Sequence, residues 1–490
     1  MRCTAKQFRF SGDTMERQQV SMDEMFAPRS VAVVGVSNFK LAFAELVVLA
    51  LQQAEFPTIY PVNPNYDEVM GLKCYAGLSD IPGPVDHVVV NIRPDLALQL
   101  LDDCAAKGVR SVHFFTAGFG ESGIKENAEL EQEMLKKAQA GGFRIIGPNC
   151  IGLFVPGARL VNDIGIPLDP GPIAFLSQSG GHAYNLPSFS ANRGLRYSKV
   201  VSYGNALDVN ENELLDYFAR DDETKIIAAY IEGVQDGKQF AASLEKAAAV
   251  KPVIICKGGR TEAGIRAAHG HTASMTSSVD VFDAVCRQHN AILVDGIEEM
   301  IDVFVALRFL KTIPTANRVA LVGAGGGPSV LAGDEMEREG LDMPPFTADL
   351  QDQLKQVLPV VGSIMSNPLD TTNMATPEAI TAGLEVLSGA ADIDMIVYHL
   401  GFHPISKWGM GFFSTKEPIQ KMVAAMKAGM GTSQKALMIA MRVPQTLEGM
   451  QEFLIAQEVF VENGFPVFHH MGDLARAMRR VITWSNNKKS

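Results

Sequence analysis

The chain has 490 residues, 47% of them hydrophobic and 44 of them glycine, with a formal net charge of −12. A domain takes roughly 100–200 residues, so two to four domains are expected. The acidic balance excludes nucleic acid and anionic membrane as main partners, since both need a basic surface.

The six cysteines (Cys3, Cys74, Cys104, Cys150, Cys256 and Cys286) are scattered and form no C-x-x-C pair. That spacing predicts free thiols in a reducing compartment, with neither a disulfide framework nor a metal site. No apolar run reaches the roughly 18 residues that span a bilayer, and the polar start has no signal-peptide core. A soluble, cytoplasmic protein is the expectation.

Residues 1–27 read as a polar tail ending in a short capping helix. A first unit, 28–155, opens on Ser30-Val-Ala-Val-Val-Gly-Val-Ser37, a β-branched strand closed by glycine. Further strands are expected at Thr58–Val62, Val85–Ile92, Ser111–Thr116 and Arg144–Ile146, with helices between them. That alternation predicts a parallel, doubly wound sheet of the Rossmann type. Only Gly35 stands where a dinucleotide loop wants three spaced glycines. Ser37 and Lys40 could still hold a phosphate at the helix start, the alternative being a Rossmann-like domain that binds nothing there. Asn63-Pro64, Ala117-Gly118 and Gly147-Pro148-Asn149-Cys150 close other strands on the same edge, which favours a ligand. Cys150 has no base nearby in sequence and reads as a packed or ligand-lining thiol rather than a nucleophile.

The second unit, 156–312, starts with Ile173-Ala-Phe-Leu-Ser-Gln-Ser-Gly-Gly-His182. Small residues Ser179, Gly180 and Gly181 at a helix start expose amides to an anion, although an ordinary strand-to-helix turn would look the same. Val200-Val-Ser-Tyr-Gly-Asn205 and Ile226–Ile231 follow, the latter ending on Glu232-Gly233. Then Val253–Cys256 leads into a polar stretch, Lys257 to Asp280, which is read as a loop holding His269 and His271. The third unit, 313–490, repeats strand, glycine loop and helix at Arg318-Val-Ala-Leu-Val-Gly-Ala-Gly-Gly-Gly327, with strands at Met395–His399, Lys435–Ala440 and Pro466–Phe468. Lone glycine loops give many false matches, so this one does not by itself define a nucleotide site.

Taken together, S-Q-S-G-G, V-S-Y-G-N, Y-I-E-G and K-G-G-R-T-E-A-G…H-G-H-T-A-S resemble the nucleoside-diphosphate-forming acyl-CoA synthetases, relatives of succinyl-CoA synthetase that work through a phosphohistidine. The resemblance runs from about Phe26 to Met478 and includes I-Y-P-V-N-P and G-P-N-C in the first unit. It implies a CoA-binding unit with Gly35, Ser37, Lys40, Asn63, Pro64, Ala117, Gly118, Asn149 and Cys150 toward CoA, followed by two flavodoxin-like ligase units. It further implies His271, in Gly270-His-Thr-Ala-Ser274, as the phosphorylated residue, with His269 off the motif. Glu232 is then its carboxylate partner. Ser179, Gly180 and Gly181, with Gly325, Gly326 and Gly327, become two helix starts facing the phosphate.

The family also needs an ATP-grasp module, and the three units leave no room for one. The resemblance therefore implies an α-type subunit whose β-type ATP-grasp partner, in a heterodimer or heterotetramer, holds ATP/ADP and Mg2+. The implied reaction joins a carboxylic acid to CoA, reversibly, through an acyl phosphate. A non-catalytic CoA-binding homologue and a nicotinamide-dependent oxidoreductase are the alternatives. Tyr398–Phe413, aromatic and glycine-rich, is either a packed surface loop or a segment that shapes acid entry or contacts a partner.

Overall fold

Short runs of Val, Ile, Leu and Ala that are buried along their whole length cannot be surface strands; they need cover on both faces, as a parallel sheet flanked by helices provides. The computed structural model describes residues 20–38, 42–272, 278–323, 326–360, 363–371, 376–401 and 415–489, excluding the side chains of residues 268–272, 326, 371 and 489. It has three such sheets. In the first, Ile59–Val62, Val31–Val34, His87–Val90, Ser111–Phe114 and Arg144–Ile146 lie side by side in that order, all parallel. Before it comes the helix Met22–Phe26, closed by a reciprocal Ser21–Glu24 capping box.

The second sheet runs Ile292–Val294, Val253–Lys257, Ile226–Ile231, Ile173–Ser177, Tyr197–Ser202 and Gly152–Phe154. Its last strand is antiparallel to its neighbour, so residues 152–154 are already hydrogen-bonded into the second sheet. The third runs Ser363–Met365, Leu369–Thr371, Val319–Gly323, Met395–Gly401, Ala436–Arg442 and Val467–Phe468, with only the first pair antiparallel. In each of these two sheets the first parallel strand is flanked by the second and the third, the flavodoxin order. Its reversal point opens a crevice at the carboxyl ends of the strands. The expected three doubly wound units are what the chain forms.

One expectation is corrected. The stretch after Val253–Lys257 is not a loop through its histidines: Glu262–Thr272 is an α-helix, and the backbone of His269 and His271 lies in its last turns. Alanines at 263, 267 and 268 and the near absence of β-branched residues before Thr272 give this segment helix propensity that its polar character hid. Residues 273–277 lie outside the described residues.

The units are tied together by buried ions. Arg144, at the last strand of the first sheet, grips Asp208 at 2.9 Å and Glu213 at 2.6 Å in the second unit. Arg193, on the second unit, pairs with Asp302 at 2.8 Å and donates to the carbonyl of Val467 in the third sheet at 2.7 Å. The helix Ile297–Phe309 belongs to a single core made from the second and third sheets and the last helix, Met471–Lys489.

Candidate active site

In the first unit the implied CoA residues other than Lys40 come together on the carboxyl edge of the sheet. Gly35 takes φ +91°, and a Cβ there would collide with the carbonyl of Asn91, so only glycine lets the first strand turn this close to its neighbour. Asn63 is structural: its side-chain amide donates to the Val36 carbonyl at 2.7 Å and its Oδ1 accepts from Asn65 at 2.9 Å. Pro64 and Ala117 are exposed at the rim, and Gly118 is half-buried there. Asn149 donates its backbone N–H to Thr116 at 3.1 Å. Cys150 is enclosed at 3% exposure and its thiol pKa is pushed up by burial, so it is poorly suited to form a thiolate.

Ser37 is engaged by a residue the sequence did not single out. Its backbone N–H and hydroxyl both donate to Glu45 Oε1, the hydroxyl at 2.6 Å. Glu45 stands in the first turn of the helix Phe43–Gln53, and its other oxygen is buried without a partner among the described residues. A carboxylate thus occupies part of the loop assigned to phosphate. Lys40 lies outside the described residues. Nearby, Glu121 and Glu131 receive backbone N–H groups of the 118–120 turn, and Asn205 of the second unit bridges the two carboxylates at 2.6 and 3.2 Å.

The second unit builds its site at its switch point. Ser179 caps the helix Gly180–Ser190 by accepting the His182 N–H on its hydroxyl at 3.3 Å. The N–H groups of Gly180 and Gly181 find no acceptor among the described residues, so two donors point outward at the positive end of the helix. Gln178, 6% exposed, braces the facing strand end: its Oε1 accepts from the amides of Glu232 and Gly233, and its side-chain N–H donates to the Gly233 carbonyl at 3.0 Å. Lys257 adds a bond to the Glu232 carbonyl at 2.7 Å. Burial, and next the charge of the nearby Glu232 carboxylate, push the Tyr230 hydroxyl well above the ordinary tyrosine range. A Cβ on Gly258 would stand 2.5 Å from that hydroxyl and 3.2 Å from Glu232 Cγ, so this glycine makes room for the pair.

Because Ile231 pairs with Lys257, Glu232 lies beside the start of the segment that carries His271. Arg260 anchors that segment with two bonds to Asp283, at 3.0 and 2.9 Å. The helix Glu262–Thr272 then approaches the Gly120–Ser122 turn of the first unit. The third unit offers a comparable helix, Gly326–Arg338, whose Ser329 hydroxyl is tied to Gly323 at 3.0 Å; Gly326 and Gly327 open it, and Gly325 lies outside the described residues. Most of Tyr398–Phe413 does so too. Among the described residues no group of three or more His, Cys, Asp or Glu side chains could hold a metal ion, and no helix is long and apolar enough to cross a membrane. The missed residues, Gln178, Glu45 and Tyr230, carry no signal of spacing; the first two act through hydrogen bonds and the third through its ring contact with His182, all of which only the fold creates.

Comparison with known proteins gives the class. Residues 29–156 match the family model of a CoA binding domain, and residues 170–307 match that of a succinyl-CoA ligase like flavodoxin domain. The chain is 31% identical to the α subunit of acetate–CoA ligase [ADP-forming] II of Pyrococcus furiosus over 95% of this chain and 98% of that one. It is 33% identical to acetate–CoA ligase [ADP-forming] I of Archaeoglobus fulgidus over 77% of its own length but spans only 54% of that longer protein. Among solved structures, the dinucleotide forming acetyl-coenzyme A synthetase 1 of Ca. Korarchaeum cryptofilum, in complex with phosphate and ADP, superposes with a TM-score of 0.79 at 29% identity, covering 96% of this chain and 98% of that one. The chain belongs to the ADP-forming acid–CoA ligases, as an α-subunit-like member, and is an enzyme of the ligase class.

Proposed function

We propose that this chain performs the acyl and phosphoryl steps of an ADP-forming acid–CoA ligase, with His271 as the phosphoryl carrier. The supporting observation is the crevice of the second unit: an open helix start at Gly180–Gly181, Glu232 held rigidly beside it, and the His271 helix leading from the next strand toward the first unit. In the synthetic direction phospho-His271 gives its phosphoryl group to the carboxylate of the acid, forming an acyl phosphate and free His271. The CoA thiol then attacks the acyl carbon, and inorganic phosphate leaves. Transfer from ATP to His271 closes the cycle, so acid, CoA and ATP become acyl-CoA, ADP and phosphate. An imidazole suits the relay because it accepts and yields a phosphoryl group readily. Glu232 would hold the opposite ring nitrogen and balance its transient positive charge. The Ser179–Gly181 and Gly325–Gly327 helix starts would receive the phosphate.

CoA would lie along the carboxyl edge of the first sheet, its chemistry being that of a thiol acceptor. The open rim at Pro64, Ala117 and Gly118 accommodates it, whereas the Ser37 donors are shared with Glu45. ATP and Mg2+ would be held by an ATP-grasp partner subunit, a reading supported by the α-subunit relative, 98% of which this chain covers, and by the longer relative, of which it covers only 54%. Acetate is the first acid to try, because the relatives carry its name. Incubated with acetyl-CoA and labelled phosphate, the chain is expected to gain an acid-labile, alkali-stable phosphoryl group. Equal labelling of wild type and His271→Ala would sink the assignment.

A further inference from the structure

We propose that His182 is a further catalytic residue of the phosphoryl-transfer step, its imidazole donating a hydrogen bond to the phosphoryl group docked at the Ser179–Gly181 helix start. The proposal rests on reading that helix start as the phosphate cradle. His182 is the third residue of the helix Gly180–Ser190. A helical Cα–Cβ bond tilts toward the N-terminus, so its ring leans over the turn that presents the Gly180 and Gly181 amides.

The ring is half-buried and stands at 61° to the ring of Tyr230, 4.4 Å between centroids. The Tyr230 hydroxyl and Glu232 Cγ lie 2.5 and 3.2 Å from one point, the place of a Cβ on Gly258, so the imidazole stands between the helix start and that carboxylate. Neither of its ring nitrogens has a hydrogen-bond partner among the described residues. A polar ring with unused nitrogens, held at the rim of an anion cradle, is placed to meet the anion.

Electrostatics supports the geometry. Burial lowers the pKa of His182, while Glu232 from the strand end and Glu298 from the start of Ile297–Phe309 pull it back up. A phosphoryl group at the helix start brings further negative charge to the same ring and favours its protonated form. The ring takes up one proton from solvent as the group docks and releases it as the group leaves; no bond to His182 forms or breaks.

The rival role is packing against Tyr230, and two substitutions separate the roles because they rank oppositely. His182→Gln keeps an N–H donor and loses the aromatic face; His182→Phe keeps the face and loses the donor. In the full-length chain with acetyl-CoA and labelled phosphate, the donor role predicts that Phe lowers the labelling rate and raises the KM for phosphate by about tenfold or more. Gln is expected to retain clearly more activity than Phe. Phe equal to or better than Gln overturns the proposal while leaving His271 labelling intact. If Phe fails to show a cooperative melt, Gln against Leu is read in the same way. Absence of any His271-dependent label in the wild type brings down the underlying site and this role with it.

Discussion

The first and second units each turn a strand into a helix at a glycine, yet they treat the exposed amides differently. At Ser37 the donors are answered from within by the Glu45 carboxylate. At Gly180 and Gly181 no acceptor answers them among the described residues, and the hydrogen bonds of Gln178 and Lys257 go instead to the backbone at Glu232 and Gly233. One loop is internally satisfied and the other is built to receive. The difference teaches that a glycine turn marks a possible anion site only when its donors have no internal acceptor.

The largest expected effect tests the receiving site. Glu232→Gln keeps the shape of the side chain but removes its charge, and should slow His271 phosphorylation by about 100-fold or more. Rapid-quench labelling reads this, and an unchanged rate would remove Glu232 from the chemistry. Next, alanine at the two turns should separate stability from function. Gly35→Ala forces a Cβ against Asn91 at positive φ and should cost about 1–3 kcal/mol of stability by denaturant unfolding. Gly181→Ala meets nothing nearer than Ser179 Oγ at 3.8 Å and should shift stability by less than about 0.5 kcal/mol. Equal losses at both turns would erase the contrast.

A smaller effect probes the filled loop. If CoA phosphate approaches Ser37, then Glu45→Gln removes a like charge and should tighten CoA binding by about fivefold in calorimetric titration. An unchanged Kd would put the phosphate away from Ser37.

The smallest effect concerns a second buried carboxyl. Glu211 opens the helix Glu211–Arg220, is 2% exposed, and is raised by burial to about 7 from 4.5. The folded state therefore binds more protons than the unfolded one between those values. Its contribution to stability is complete below about pH 4.5 and lost as pH rises through about 7. Glu211→Gln should flatten that decline in melting temperature, and an identical pH profile would show that Glu211 does not titrate there.

The sequence displayed the architecture well because short apolar runs followed within a few residues by glycine recur at every unit, at Val31–Val34, Ile173–Ser177 and Val319–Gly323 among them. The places of Ser179, Gly180, Gly181 and Glu232 just past strand ends were legible for the same reason, while the roles proposed for them come from the resemblance. The His271 segment misled, since a polar stretch with two histidines hid a helix made by its alanines. Gln178 was quoted only as a letter in S-Q-S-G-G, and its brace across to Gly233 joins residues 55 apart. Tyr230 too was only a letter, in Y-I-E-G, and Glu45 was silent, because a glutamate in a helix is ordinary until a partner is placed beside it.

Arg193 has a consequence for how the molecule comes apart. Its guanidinium is buried at the meeting of Asp302 and the Val467 carbonyl, and leaving either side behind would strand a charge away from water. The helix bearing Asp302 is also the common floor of the second and third sheets. Neither sheet can melt without exposing the other's apolar face, so these two units share one cooperative transition. A cut at the boundary between residues 312 and 313 is expected to yield two insoluble halves rather than two domains.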